Sequence, residues 1–281
     1  MTRLYSSFDL DHILRDEDAR RAQELKDAEA AARRAVIAEK RGGTPAVVPS
    51  AADWFSIEKS DSHFLLHNLV VDGKMGDYLW SGALLSGEHT QEEWLSIPEY
   101  RTVDGIKFGL PSSLEWGATI VALYHHRNTK DPAQQVLLEE FKLSLVDSLK
   151  KYVMTGTRTT YDPRGNDFVE HNGNAFCFVQ GVALAGENRS LKASMDTESI
   201  AWLGVGAREF MDAVKYVTDS TAYLWRLEKP NATQEVCALV LGVDVKSWFY
   251  ISANGSTNIP WHARGVKIMP RATGPGVRVR A

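Results

Sequence analysis

The chain is poor in cysteine, with two in 281 residues, and Cys177 and Cys237 sit in separate apolar runs. That excludes a disulfide framework, and two buried thiols in a reducing compartment are expected. No run of 18 apolar residues occurs, so no membrane-spanning helix is expected. Asp9, Asp11, Asp16, Glu17 and Asp18 stand where a secretory leader would be apolar. The expectation is a soluble, cytoplasmic protein with no membrane partner. The glycosylation-type triplets at Asn188, Asn231 and Asn254 then read as chance matches. Also missing are a phosphate-cradling Gly-Lys-Ser/Thr loop, a Gly-x-Ser-x-Gly elbow and a Cys-x-x-Cys pair. Their absence removes the enzyme classes most easily read from sequence, and no cofactor is expected.

What is present is an uneven distribution of charge. Residues 1–41 hold nine acidic and nine basic side chains, while residues 263–281 hold Arg264, Lys267, Arg271, Arg278 and Arg280 with no acid. Since the whole chain carries −4, the body at 42–262 carries −9. A basic tail on an acidic body can fold back, dock on a neighbouring subunit or meet nucleic acid or another acidic surface.

Residues 9–41 read as one long amphipathic helix, rich in Ala, Glu, Lys, Arg and Gln and stopped by Gly42 and Gly43. Its stripe of Leu10, Leu14, Leu25, Ala28, Ala32, Ala35 and Val36 is thin and interrupted by Asp18 and Arg21, so the helix gains order by lying against another surface, either its own body or, in the homo-oligomer expected through this segment, another copy of the chain. Residues 42–53 form a Gly/Pro linker. A compact domain is expected over 54–262, followed by a basic tail at 263–281.

Within the body, Phe64–Val71 fits a short buried strand or a helix, and Thr90–Leu95 a capped helical turn. Asp104-Gly105 marks a tight hairpin. Asp131-Pro132 opens an amphipathic helix over 131–152, with Asp131 as cap, Gln134 completing the capping box, and Leu138, Phe141, Leu145, Leu149 and Tyr152 as its stripe. Three short strands are expected in 155–184, and a second long helix over 207–227 with Phe210, Val214, Val217, Thr221 and Leu224 on its buried face. Two further strands are expected at 234–243 and 247–253, then a turn at Asn254-Gly255 and a final strand at 265–269. The sum is an α+β fold: a helix-rich body with a small, mostly antiparallel sheet, preceded by a long N-terminal helix.

Four candidate sites follow. His63 and His67, four apart, would share one face of a helix and could hold two positions of a metal, although the glutamate of a zinc-protease helix is missing between them. His125 and His126 suit the last turn of a helix. Asp167, Glu170 and His171 lie in the densest polar loop and would form an acid–base or metal site if its turns converge. Gly204-Val205-Gly206 precedes a helix as a dinucleotide turn would, but the third glycine is missing. The eight tryptophans are expected mostly in the core, with some anchoring an interface. If Trp248, Phe249 and Tyr250 lie in a strand, Phe249 faces away from the other two.

Organisation favours a non-enzymatic, self-assembling structural or scaffold protein of coat type, with terminal arms making subunit contacts and nucleic acid as a further partner at the tail. The rival reading is an intracellular hydrolase, metal-dependent or acid–base, centred on Asp167, Glu170 and His171.

Overall fold

The structure is a computed structural model and describes residues 55–164, 167–172, 175–178, 184–228 and 233–269. The chain divides into Met1–Ala51 and Ala52–Ala281; the expected helix at 9–41, the linker at 42–53, and Arg271, Arg278 and Arg280 lie outside the described residues.

Strands β1 (Ser56–Lys59), β2 (His63–Val71) and β3 (Lys74–Leu84) open the body. Asp72 and Gly73, with φ of 49° and 70°, form the two-residue turn between β2 and β3, because both positions need left-handed dihedrals. A short helix α1 (Gln91–Ser96), a 3₁₀ turn (Pro98–Arg101) and the small hairpin β4 (Thr102–Val103)–β5 (Ile106–Lys107) follow. Thr90 and Glu93 close a capping box on α1, and the hairpin turns at Asp104-Gly105. Helices α2 (Ser113–His125) and α3 (Pro132–Leu149) come next, then β6 (Val153–Tyr161), β7 (Phe168–His171), β8 (Ala175–Phe178) and β9 (Arg189–Ser190). The chain continues through α4 (Asp196–Leu203), α5 (Ala207–Thr218), β10 (Thr221–Trp225), β11 (Glu235–Val243), β12 (Trp248–Gly255) and β13 (His262–Met269).

One sheet of eleven strands organises these elements, in the order β1-β2-β3-β13-β6-β11-β12-β10-β9, with β7 and β8 branching from β6. It is mixed, since β13 runs parallel to β6 and β10 parallel to β12. This overturns the expected helix-rich body with a small, mostly antiparallel sheet. The reason is local. In β2 and β3 both faces are covered, Phe64, Leu66, Tyr78 and Trp80 on one side and Leu65 and Leu79 on the other, so the alternation that announces a strand is absent.

Helices α2–α5 pack on one face of the sheet over a core that includes Trp80, Trp116, Phe141, Trp202, Phe210 and Phe249. On the opposite face, Trp94, Phe108 and Leu110 cover Leu79, Met154, Ala238, Val240 and Ala263 at the sheet's centre. Helix α3 carries the expected stripe of Leu138, Phe141, Leu145 and Leu149, and Asp131 accepts from the backbone N–H of Ala133 and Gln134. Gln134 does not close a capping box. Its side chain reaches instead to Ile57, accepting from the Ile57 N–H at 2.9 Å and donating to its carbonyl at 3.1 Å.

The expected helix at 207–227 is shorter. Asp219 takes φ 54° and caps α5, and the next residues form β10. Similarly, Asn254-Gly255 is no turn, for β12 runs through Gly255. Gly204 at φ 70° is the left-handed cap of α4 and Gly206 the N-cap of α5, which gives the glycine pair a helix-to-helix role. His125 and His126 end α2 as expected.

Candidate functional site

The expected acid–base cluster is not brought together. In β7 successive side chains point to opposite faces, so His171 is buried while its neighbour Glu170 is half-exposed. Asp167 is spent on backbone: it accepts from the N–H groups of Asp162 at 2.8 Å, Leu184 at 2.8 Å and Ala185 at 3.4 Å. His171 Nε2 faces the carbonyl of Ala201 at 3.1 Å. A carbonyl can only accept, so Nε2 carries the proton and Nδ1 accepts from Thr157 Oγ1 at 2.9 Å. Burial lowers the His171 pKa to about 4. A neutral histidine tying β6 and β7 to α4 follows.

His63 and His67 lie on a strand, where four residues span about 13 Å; a single ion does not bridge them. His67 instead lies across neighbouring strands from Glu58 and Asp77, at 3.2 and 3.5 Å. Among the described residues no group of three His, Cys, Asp or Glu side chains is placed to hold a metal, and no helix is long and apolar enough to cross a membrane. Cys237 is a buried free thiol whose pKa burial pushes up to about 11; the Cys177 side chain lies outside the described ones.

Two of the five basic residues assigned to the tail belong to the sheet. Lys267 is exposed on β13, whereas Arg264 is fully buried. Arg264 Nη1 donates to the Ser144 carbonyl at 2.9 Å and to Ser148 Oγ at 3.0 Å, so its role is in the interior, between β13 and α3. Above those two serines a cleft of about 1010 Å³ opens between α3 and the ends of β1, β2 and β3.

The other unusual surface is aromatic. Along β10, Ala222 and Leu224 face the helices and Tyr223 and Trp225 face the opposite way; along β12, Phe249 and Ile251 are buried while Trp248 and Tyr250 face with Tyr223. The four rings form one group, with centroids 5.1 Å apart for Tyr223–Trp248 and 5.7 Å for both Tyr223–Tyr250 and Trp225–Tyr250. Tyr152 extends the row, 6.2 Å from Tyr250 and 6.2 Å from Trp261. A hollow of about 300 Å³ lies among Tyr223, Trp225, Trp248 and Tyr250, with Asn188 and Lys246 at its rim. Trp225 is 46% exposed. Tyr250 donates its hydroxyl to Asp244 at 3.0 Å; burial and that carboxylate push its pKa up to about 12, so the phenol stays protonated.

Sequence reasoning missed this face because Thr221 and Leu224 continue the helical spacing of Phe210, Val214 and Val217. The alternation of Tyr223 and Trp225 against Ala222 and Leu224 was there to be read as period two. The separation of Phe249 from Trp248 and Tyr250 is as expected for a strand. The chain matches no protein-family model, no curated protein and no solved structure.

Proposed function

We propose that the protein is a non-enzymatic structural subunit that joins copies of itself, the basic segment at 270–281 of one copy lying on the aromatic face of another. The observation that carries this reading is the row Trp248–Tyr223–Tyr250–Trp225, with Trp225 46% exposed, around a hollow of about 300 Å³ on the sheet face opposite α2–α5. Rings of this kind with a polar rim are the usual anchors of protein interfaces. Arg271, Arg278 and Arg280 complement it, since guanidinium groups stack on aromatic faces. In an extended chain Arg278 and Arg280 share one side and Val277 and Val279 the other, which suits a segment laid against a sheet. The −9 of residues 42–262 draws the same segment by charge. In this reading the helix expected at 9–41 supplies a second subunit contact.

Light scattering coupled to size-exclusion chromatography tests it, on the full chain, on Trp225→Ala and on the double variant Arg278→Ser/Arg280→Ser, each with and without a short RNA. A full chain above protomer mass, with both variants reduced toward it, is the expected result. Equal masses for all three overturn the reading. An RNA-dependent shift that needs Trp225 assigns the rings to single-stranded nucleic acid instead.

A further inference from the structure

Among the described residues Arg264 is a fully buried cation without an anion. It is 0% exposed, no carboxylate lies within ion-pair distance among the described residues, and its Nε and Nη2 find no acceptor there. Its one side-chain hydrogen bond goes to a neutral hydroxyl, that of Ser148, and the ring of Phe141 lies 5.4 Å from the guanidinium carbon. Burial lowers its pKa to about 9, which leaves it charged at neutral pH. Removing a cation from water without compensation is costly, and buried charges in proteins are as a rule paired with a counter-charge.

The cleft over α3 is where it can arrive. Ser144 and Ser148, the two partners of Arg264, line its floor, and Lys151 stands at its exposed rim. Of the acids around it, Glu140 is paired with Lys59 at 2.8 Å and Asp147 with Lys150 at 2.9 Å. Asp61 is the remaining carboxylate in the lining, against Lys151, with Arg264 behind the two serines. Ser148 Oγ also donates to the Ser144 carbonyl at 3.0 Å. Arg264 does not itself line the cleft; for Nη1 to meet a ligand there, the Ser148 hydroxyl must turn to another staggered position.

We propose that this cleft binds a phosphate group, free or carried by a small organic molecule, over the guanidinium of Arg264. Phosphate fits better than carboxylate because it offers a fork of acceptors to the guanidinium and further oxygens to Ser148 and Lys151. The volume of about 1010 Å³ leaves room for the rest of a phosphate ester. This site is separate from the aromatic face and stands or falls independently of self-association.

The test is thermal unfolding of the full chain in inorganic phosphate, in glycerol 3-phosphate, and in sodium chloride at matched ionic strength. Binding to the folded state raises Tm with the logarithm of ligand concentration. The expected result is a rise in phosphate or its ester beyond the chloride control, absent in Arg264→Met and weakened about tenfold in apparent affinity in Lys151→Glu. That tenfold loss corresponds to about 1.4 kcal/mol. A rise with the ester alone assigns the site to organic phosphates, and a rise with both to the phosphate group itself. Identical curves in all three salts overturn the proposal, as does a full response in Arg264→Met. Should Arg264→Met fail to fold, Lys151→Glu decides, because its side chain is exposed: an unchanged response there overturns the site.

Discussion

Thr157 Oγ1 and His171 Nδ1 meet at 2.9 Å inside the protein, joining the middle of β6 to the end of β7. Ser113 at the start of α2 completes the junction, its N–H donating to the same Thr157 hydroxyl at 2.9 Å. With Ala201 on the other ring nitrogen, the junction joins β6, β7, α2 and α4, and burial keeps the imidazole neutral against the pull of that carbonyl. Its contribution is therefore to cohesion, and its protonation state links cohesion to pH.

The folded pKa near 4 lies below the ordinary 6.5. Between those values the unfolded chain binds a proton at this position that the folded chain refuses. Stability contributed by His171 is therefore complete above pH 6.5, is lost as pH falls toward 4, and changes no further below that. The loss amounts to about 3 kcal/mol. Urea unfolding at pH 7 and pH 4.5 should show a steeper fall for the native chain than for His171→Gln. Parallel falls would show that the folded protein protonates this ring.

Asp167 holds the ends of a loop together through three backbone N–H groups. Asp167→Ala leaves all three buried or half-buried donors without their acceptor, and a loss of about 3 kcal/mol is expected. The chain should also become cleavable near 162 and 184 in limited proteolysis before the rest unfolds. An unaltered digestion pattern would mean that other groups fix these loop ends.

How much of this was legible follows from how local each signal is. Helix α3 could be read because its cap, its proline and its apolar stripe all lie within the segment itself. The Asp104-Gly105 turn can be read for the same reason, while the equivalent Asp72-Gly73 carries no such signal because the strands beside it show no alternation. Helix α5 and strand β10 merged into one expected helix, since Thr221 and Leu224 keep the spacing of Val214 and Val217, and the stop is a single left-handed residue, Asp219. Asp167, Glu170 and His171 were grouped by closeness in sequence, which a strand undoes by turning neighbours to opposite faces. Arg264 looked like the first residue of a basic tail. Its burial depends on α3, about 120 residues earlier in the chain, and no local pattern carries that information. The aromatic face resembled core for a simple reason: large rings give the same sequence signal on an open sheet face as on a closed one.

Gly117 sits at a close approach of α2 to the end of α4. A Cβ at this position would lie 2.2 Å from the Leu203 carbonyl oxygen and 3.1 Å from its carbon. Those are backbone atoms, so the conflict is relieved only by moving one helix. In an exposed helix Gly→Ala gains about 1 kcal/mol; here Gly117→Ala should lose about 2–3 kcal/mol. Chemical denaturation reads the sign directly, and a stabilised variant would mean that α2 and α4 separate at little cost.

Two contacts bind the edge strand β1 to α3, and they should differ sharply in weight. Lys59 and Glu140 form an ion pair at 2.8 Å, but each side chain is 43% exposed. Solvent screens such a pair, and Glu140→Gln should change stability by less than about 1 kcal/mol. Gln134 instead satisfies both the N–H and the carbonyl of Ile57, whose side chain is fully buried. Removing the amide leaves a half-buried donor and acceptor of the strand without their partners, beside the buried Ile57 side chain. Gln134→Ala should cost about 2 kcal/mol, with Gln134→Glu little better because a carboxylate cannot donate to the Ile57 carbonyl. Hydrogen exchange at the Ile57 amide should accelerate by at least about tenfold in both Gln134 variants and stay unchanged in Glu140→Gln. If Glu140→Gln alone accelerated it, the surface pair and not the Gln134 amide would be what holds this edge of the sheet.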